Sequence, residues 1–593
     1  MSNKMKAIFK KITPFQLLVI LITSVTLSFF NSFALSVLNN GGWGTMKGSF
    51  TLKNIFAFCF LTIFFSFLSI VIIEISKKKY RFTKVPNIFN KVNNFFSSYK
   101  RTAIFLIIIW GFFLLPFLPV VSGWDIVGSF HEMVDTRSAD FTKNIFNIYP
   151  IASYLTDGSS TMWTNQHGAF LTAFYALTLK YSWLLSKSFL PGYVFLGLFH
   201  FLFAIYAYTK AIVYCERNVQ NSILKIIGLI LIIFNPMIFL NTISLSKNPL
   251  FVSSFILFFV LMFEFYRNNG IVNKIWNINM FISVLIGILA VKWALYVYLI
   301  VGLLYILIYK KIALKSVIIS IIFPIVLFKV SLLILVQQGV VLKDDPIESK
   351  GVQIQQVARY VHDDPSILTK DEYQKLNRIF DVDNIGNLYS PAISDPVKSS
   401  GGGNFNDDSK LGYRYRTVKK GDWKEFNKVW LDLVKRNPQI AVDATVAQVG
   451  SYLSPSQQPL ADYALTMPND VIGHGYGSLS ISKWIYHFYH NKIRTKAISV
   501  VFDLFTNKYV GYILHGNFWI FILILILPVF VTSIKKLVLV MPILLQIVIS
   551  MLSPLANSER YTLGILAVMP LVLIITFMNS DKNSMVTIGQ EKK

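Results

Sequence analysis

A chain of 593 residues that is 54% hydrophobic and 15% aromatic, with a mean hydropathy of +0.54, is composed for lipid as its main solvent, which argues against a soluble globular protein. Its formal charge of +26 would point to nucleic acid in a soluble chain. The basic residues instead occupy short segments between apolar runs, where they set topology and meet anionic headgroups, so membrane lipids are expected partners and nucleic acid is not.

Lys4, Lys6, Lys10 and Lys11 precede an apolar run from Phe15 to Leu35, longer than the apolar core of a signal peptide and followed by further runs. It reads as an uncleaved first helix. Cys59, within an apolar run, and Cys215, in a short polar connection, are too few for a disulfide framework or a zinc site. Abundant Lys, Asn, Ile and Phe suggest an AT-rich bacterial genome, hence a bacterial cell membrane.

Runs long enough to cross a hydrocarbon core of ~30 Å occur near 15–35, 54–74, 103–121, 192–213, 223–243, 249–266, 277–291, 294–309, 314–335, 518–533, 537–553 and 561–578. These predict a mainly α, polytopic protein with twelve spans. A further stretch, "GAFLTAFYALTLKYSWLLS" from Gly168 to Ser186, carries Lys180 and other polar residues. If it does not cross, the lysines before Phe15, residues 77–101, Arg217, Lys225, Arg267, Lys274, Lys310, Lys311, Lys315, Lys535, Lys536 and the Lys592–Lys593 tail all fall on the cytoplasmic side, as the positive-inside rule requires. Residues 168–186 are therefore expected to form an amphipathic helix along the outer surface, with both termini cytoplasmic.

The expected organisation is three spans with a basic cytoplasmic loop over 1–121, a long outward loop with the juxtamembrane helix over 122–191, spans four to nine over 192–336, an α or α+β extracytoplasmic domain over 337–516, and three spans with a cytoplasmic tail over 517–593. The domain, of about 180 residues, can bury its own core. It opens with helix-like "GVQIQQVARYVHDD". Gly401–Gly403 read as a flexible tip, and "DWKEFNKVWLDLVKRNP" as a helix with Asp422 at its N-cap and Phe426, Val429, Trp430 and Leu433 facing a core.

Candidate chemistry gathers at the outward ends of spans. Asp125 in "VSGWDIVG" places a carboxylate beside Trp124 at the expected membrane edge, and Glu132 follows. In the same loop, Trp163, Asn165, Gln166 and His167 supply the stacking and hydrogen-bonding groups that a polar ligand with an apolar face needs, while a carboxylate can accept or orient a hydroxyl proton. Lys247, Lys292 and Arg560 put positive charge at outward span ends, against the topological bias; a lipid-linked phosphate would be a matching partner.

This pattern resembles the GT-C fold of integral-membrane glycosyltransferases. "GWD" with Asp125 resembles the catalytic-aspartate position, "NQHGAFLTAFYALTL" the juxtamembrane helix, "SLSKNPLF" a Lys-Asp loop, and "NSERYTLG" with Arg560 and Tyr561 the outer Arg-Tyr element. "QIQQVARYVHDD", "LYSPAISDPVK" and "KEFNKVWLDLVKRNP" resemble a bacterial branch of that fold, found largely in Gram-positive bacteria. The departures are Gly168, where a proline is usual after the histidine, and Asn248, where an acid is frequent.

The resemblance implies a transferase taking sugar from a polyprenyl-phosphate donor to an envelope glycan, teichoic acid or glycolipid acceptor. Asp125 would be the catalytic carboxylate; Lys247, Lys292 and Arg560 would hold the donor phosphate; Trp124, Glu132, Asn165, Gln166, His167 and Tyr561 would contact substrate. Some members of the fold use a divalent cation, and Asp125 with Asp135 or Asp140 could offer hard oxygen ligands to Mg²⁺ or Mn²⁺. Two other classes stay open: a glycan or lipid transporter, which predicts charges at mid-bilayer, and a noncatalytic scaffold of an envelope-polymer assembly.

Overall fold

The computed structural model describes residues 12–77, 87–121, 163–165, 167–219, 221–342, 345–399, 413–414, 417–459 and 492–576. Most of them are helical. In chain order the elements that position the site are α1 (Pro14–Leu38), α2 (Leu52–Lys77), α3 (Asn87–Phe96), α4 (Tyr99–Phe117), α5 (Ala169–Ser186), α6 (Leu190–Asn218), α7 (Ser222–Ile233), α8 (Pro236–Ile243), α9 (Lys247–Arg267), α10 (Lys274–Ala290), α11 (Ala294–Tyr309) and α12 (Lys311–Gln337). There follow α13 (Gly351–Asp363), α14 (Lys370–Asn377), α15 (Lys420–Arg436), α16 (Pro438–Val449), α17 (Lys492–Thr506), α18 (Gly516–Phe530), α19 (Ile534–Met551) and α20 (Glu559–Thr576). The strand pair β1 (Trp163–Thr164) and β2 (Val341–Leu342) runs parallel.

Among the described residues eight helices, α1, α2, α4, α6, α9, α12, α19 and α20, are long and apolar enough to cross a membrane. Helices α7 and α8 together form a ninth candidate bent by 55°. The bend has a local cause: the Asn235 side chain accepts the Met237 N–H at 2.9 Å, and Pro236 starts the new helix where its missing N–H costs nothing. Helices α10, α11 and α18 are apolar but shorter. Each expected apolar run thus coincides with a helix or with the bent pair.

Burial orders the bundle. The most apolar window of α9 is 89% buried and that of α20 is 83% buried, whereas that of α2 is 11% buried, so α9 and α20 form the centre and α2 the periphery. The sequence of α9, "NPLFVSSFILFFVLMF", is apolar on every side, as a helix surrounded by other helices requires. Around it pack α6, α10 and α20, while α1 packs between α2 and α18.

Helix α5 is not among the candidate spans. It lies antiparallel to the start of α6: the Ser182 hydroxyl accepts the Gly192 N–H at 2.9 Å, and the Tyr175 hydroxyl meets His200 Nε2 at 2.8 Å. The expected amphipathic arrangement differs in detail. Lys180 is only 5% exposed, while Tyr181 and Leu185 are exposed, because packing on α6 rather than a polar outer stripe decides its faces. Cys215 also departs from expectation, being buried within the last turns of α6 rather than in a polar connection.

A separate lobe has its own core from Ile347 to Ala441, including Ile354, Val357, Phe426, Val429 and Leu433. Trp430 lies at its edge, where its indole N–H donates to Gln356 Oε1 at 2.6 Å. Asp422 is not the N-cap of α15 but its third residue: Lys419 is the cap, and Asp422 accepts the Lys419 N–H at 2.7 Å, half of a capping box. Gly401–Gly403 lie outside the described residues. Beyond Ala441 the chain returns to the bundle, since Tyr452, Leu453, Val501 and Phe505 belong to the main core. The loop after α1 clamps the lobe: Met46 N–H donates to Asp443 Oδ1 at 2.6 Å, and the Arg359 guanidinium lies 5.7 Å from the Trp43 ring.

Candidate functional site

The site is built where the lobe-side ends of several helices meet. After α4, residue Val121 bridges Ser244 in parallel: Val121 N–H donates to Ile243 O at 3.1 Å, and Leu245 N–H donates to Val121 O at 2.8 Å. The segment leading to Gly123-Trp124-Asp125 is thereby laid against the loop that leads to Lys247. Arg494, 3% exposed, fixes the same segment from the other side, donating to Phe117 O at 3.1 Å and Val120 O at 3.2 Å. Sequence reasoning missed Arg494, because charges in long loops carry little topological signal.

On α9, Lys247 is the first residue and its Nζ lies 3.4 Å from His167 Nδ1. An ammonium can only donate, so this contact selects the imidazole tautomer with its proton on Nε2. His167 is held by its neighbours. Asn165 N–H donates to Leu342 O at 3.3 Å, extending the β1–β2 pair, and Asn165 Oδ1 accepts the Ala169 N–H at 3.0 Å at the start of α5. Asn165 is 5% exposed, and this amide oxygen fastens the helix. Gly168 between them has φ +91°, and a Cβ there would sit 3.2 Å from Leu289 O at the end of α10. Proline, locked near φ −65°, cannot adopt that conformation.

The two remaining cations are tied to Lys247 through its neighbours. Asn248 Nδ2 donates to the Arg560 carbonyl at 2.6 Å, joining α9 to the start of α20. Lys292 follows α10, and the adjacent Trp293 packs on Phe251 of α9 with ring centroids 4.5 Å apart. Lys247, Lys292, Arg560 and His167 are all partly buried. Tyr561 places its ring 5.8 Å from the Arg560 guanidinium. The preceding Glu559, 1% exposed, accepts the Gly516 N–H at 3.0 Å, setting a carboxylate at the start of α18 where the helix dipole favours it.

Of the residues singled out from sequence, the fold therefore brings Lys247 and His167 into contact and links Lys292, Arg560 and Tyr561 to the same end of the bundle. Trp124, Asp125, Glu132 and Gln166 lie outside the described residues, as do Asp135 and Asp140. Among the described residues no group of three or more His, Cys, Asp and Glu side chains could hold a metal ion.

Apolar helices of spanning length around a buried centre define a multi-pass, mainly helical membrane protein. The chain belongs to a family of unknown function, DUF6020, whose match extends over residues 13–589. Neither the curated proteins nor the solved structures contain a match to it.

Proposed function

We propose that the protein is a glycosyltransferase that takes sugar from a polyprenyl-phosphate carrier at the outer leaflet of a bacterial membrane and passes it to an envelope glycan, teichoic acid or glycolipid. The observation that carries this reading is the meeting of Lys247 with His167, 3.4 Å apart, on a loop hydrogen-bonded both to Val121, four residues before Asp125, and, through Asn248, to Arg560. Cations in this setting are suited to a phosphate at a membrane surface. The reading takes all twelve apolar segments as spans, both termini as cytoplasmic, and the lobe as the outward domain that chooses the acceptor.

In the proposed reaction an acceptor hydroxyl oxygen forms a bond to the anomeric carbon. The bond from that carbon to the carrier phosphate breaks, with its electron pair going to the phosphate oxygen, and Asp125 takes the hydroxyl proton. Lys247, Lys292 and Arg560 hold the charge that develops on the leaving phosphate, stabilising the transition state because they are placed before the reaction begins. Asn165, whose amide oxygen fastens the start of α5, and His167 would contact substrate together with Trp124, Glu132, Gln166 and Tyr561. A divalent cation, if one takes part, would be held by Asp125 with Asp135 or Asp140.

The test is release of polyprenyl phosphate from a polyprenyl-phosphate sugar by the purified protein in nanodiscs supplied with an envelope-glycan or glycolipid acceptor fraction. Release by the native protein and its loss in Lys247→Met support the reading. A native protein that moves the intact lipid-linked sugar between leaflets without breaking the sugar–phosphate bond would make it a transporter.

A further inference from the structure

A second feature lies on the periphery, apart from the Lys247 group. Between α1 and α2 is a surface groove of about 740 Å³, lined by Val25, Phe29, Phe33, Phe50, Ile55 and Phe58, among others. The rings of Phe33 and Phe50 are 4.7 Å apart, and those of Phe33 and Phe58 are 5.3 Å apart. Helix α1 makes a π turn over Phe30–Ala34, beside these rings; such turns are frequent at functional sites. Val25 and Ile55 are exposed on two helices that are themselves candidate spans, and Phe50 is exposed just before the second, so hydrocarbon rather than water faces the groove.

The α1–α2 connection turns tightly at the lobe-side end. Phe50 N–H donates to Lys47 O at 3.3 Å, and Asn54 Nδ2 donates to Ser49 O at 2.7 Å. This turn carries two exposed lysines: Lys47, three residues before Phe50, and Lys53, two before Ile55. Neither makes an ion pair among the described residues. Each has a four-carbon stem able to cover apolar surface while its ammonium reaches headgroup level.

We infer that this groove binds an anionic phospholipid of the surrounding bilayer, an acyl chain lying against Phe29, Phe33, Phe50 and Phe58 and the phosphate meeting Lys47 and Lys53. The pairing of an apolar trough with cations at one end matches a lipid with an acidic headgroup. The groove's sideways opening on the least buried span suits a lipid drawn from the bilayer, not a substrate delivered to the central helices. Because the same turn leads from the Met46–Asp443 contact, the lipid would brace the hairpin that clamps the lobe.

The experiment is native mass spectrometry of the full chain released from nanodiscs of equimolar phosphatidylglycerol and phosphatidylcholine. The native protein is expected to retain phosphatidylglycerol with a preference on the order of tenfold, from two lysines at a membrane surface. Lys47→Ala with Lys53→Ala, both exposed and compatible with folding, should abolish the preference; Thr26→Trp, which fills the groove, should abolish retention itself. Equal retention of both lipids, or a preference unchanged in the double lysine variant, would overturn the proposal. So would displacement of the phospholipid by added polyprenyl phosphate at stoichiometric concentration.

Discussion

Nζ of Lys247 and Nδ1 of His167 lie 3.4 Å apart although 80 residues separate them in sequence. Lys247 starts the most buried of the candidate spans, and His167 precedes α5, which packs on α6. If Lys247 holds the donor phosphate, Lys247→Met should lower sugar transfer by about 10²-fold or more, the scale on which fixed charge-stabilising groups act. Lys247→Arg should retain part of the activity. Transfer measured at equal membrane abundance checks both variants, and an unaffected Lys247→Met protein would remove this residue from the reaction.

Gly168 links His167 to α5 at φ +91°. Gly168→Ala would put a side chain in a sparsely populated conformation that costs about 1–3 kcal/mol, with its Cβ against Leu289 O. A fall in transfer larger than the fall in thermal stability is expected, because the distortion acts on the Lys247–His167 contact. Paired activity and melting measurements distinguish this from simple destabilisation.

Arg494 secures the carbonyls of Phe117 and Val120 just before the Asp125 loop. Arg494→Ala removes its donors from these two carbonyls, and about 1–3 kcal/mol of stability should be lost. A lowered Tm, partly restored by Arg494→Lys, is the expected result in detergent.

In the lobe, burial alone would raise the Glu372 carboxyl, but the Thr369 N–H and the Arg436 guanidinium hold it below its ordinary range. A lowered carboxylate stabilises the fold above its unfolded pKa, and that contribution disappears as pH falls through the folded value. Glu372→Gln should therefore melt earlier than the native protein at pH 7, with the difference closing in strong acid. Hydrogen exchange of α14 and α15 across that range measures it.

How much was readable from sequence depended on the physical scale of each signal. Lipid imposes long apolar runs, so every expected run coincides with a helix or the bent pair, and the Lys247 and Arg560 ends stood out as charges against a topological bias. Short-range competition was harder to read. Asp422 could cap α15 or sit one turn inside it, and only the backbone at Lys419 decided. The bend at Asn235 fell inside an apolar run whose hydropathy masks a cap followed by proline. The bond from the Ala169 N–H to Asn165 depends on the chain turning at Gly168, so the helix-fastening role of this amide was not legible in the sequence. Arg494 owes its role to partners some 370 residues away, which no local pattern records.

The most direct measurement compares envelope-glycan composition in cells carrying the native protein, no protein, or Asp125→Asn at matched membrane abundance. The account predicts that one sugar disappears in both the null and the substituted strain, which would also identify the donor. A glycan lost in the null but intact with Asp125→Asn would contradict catalysis at Asp125 and move the protein to transport or scaffolding.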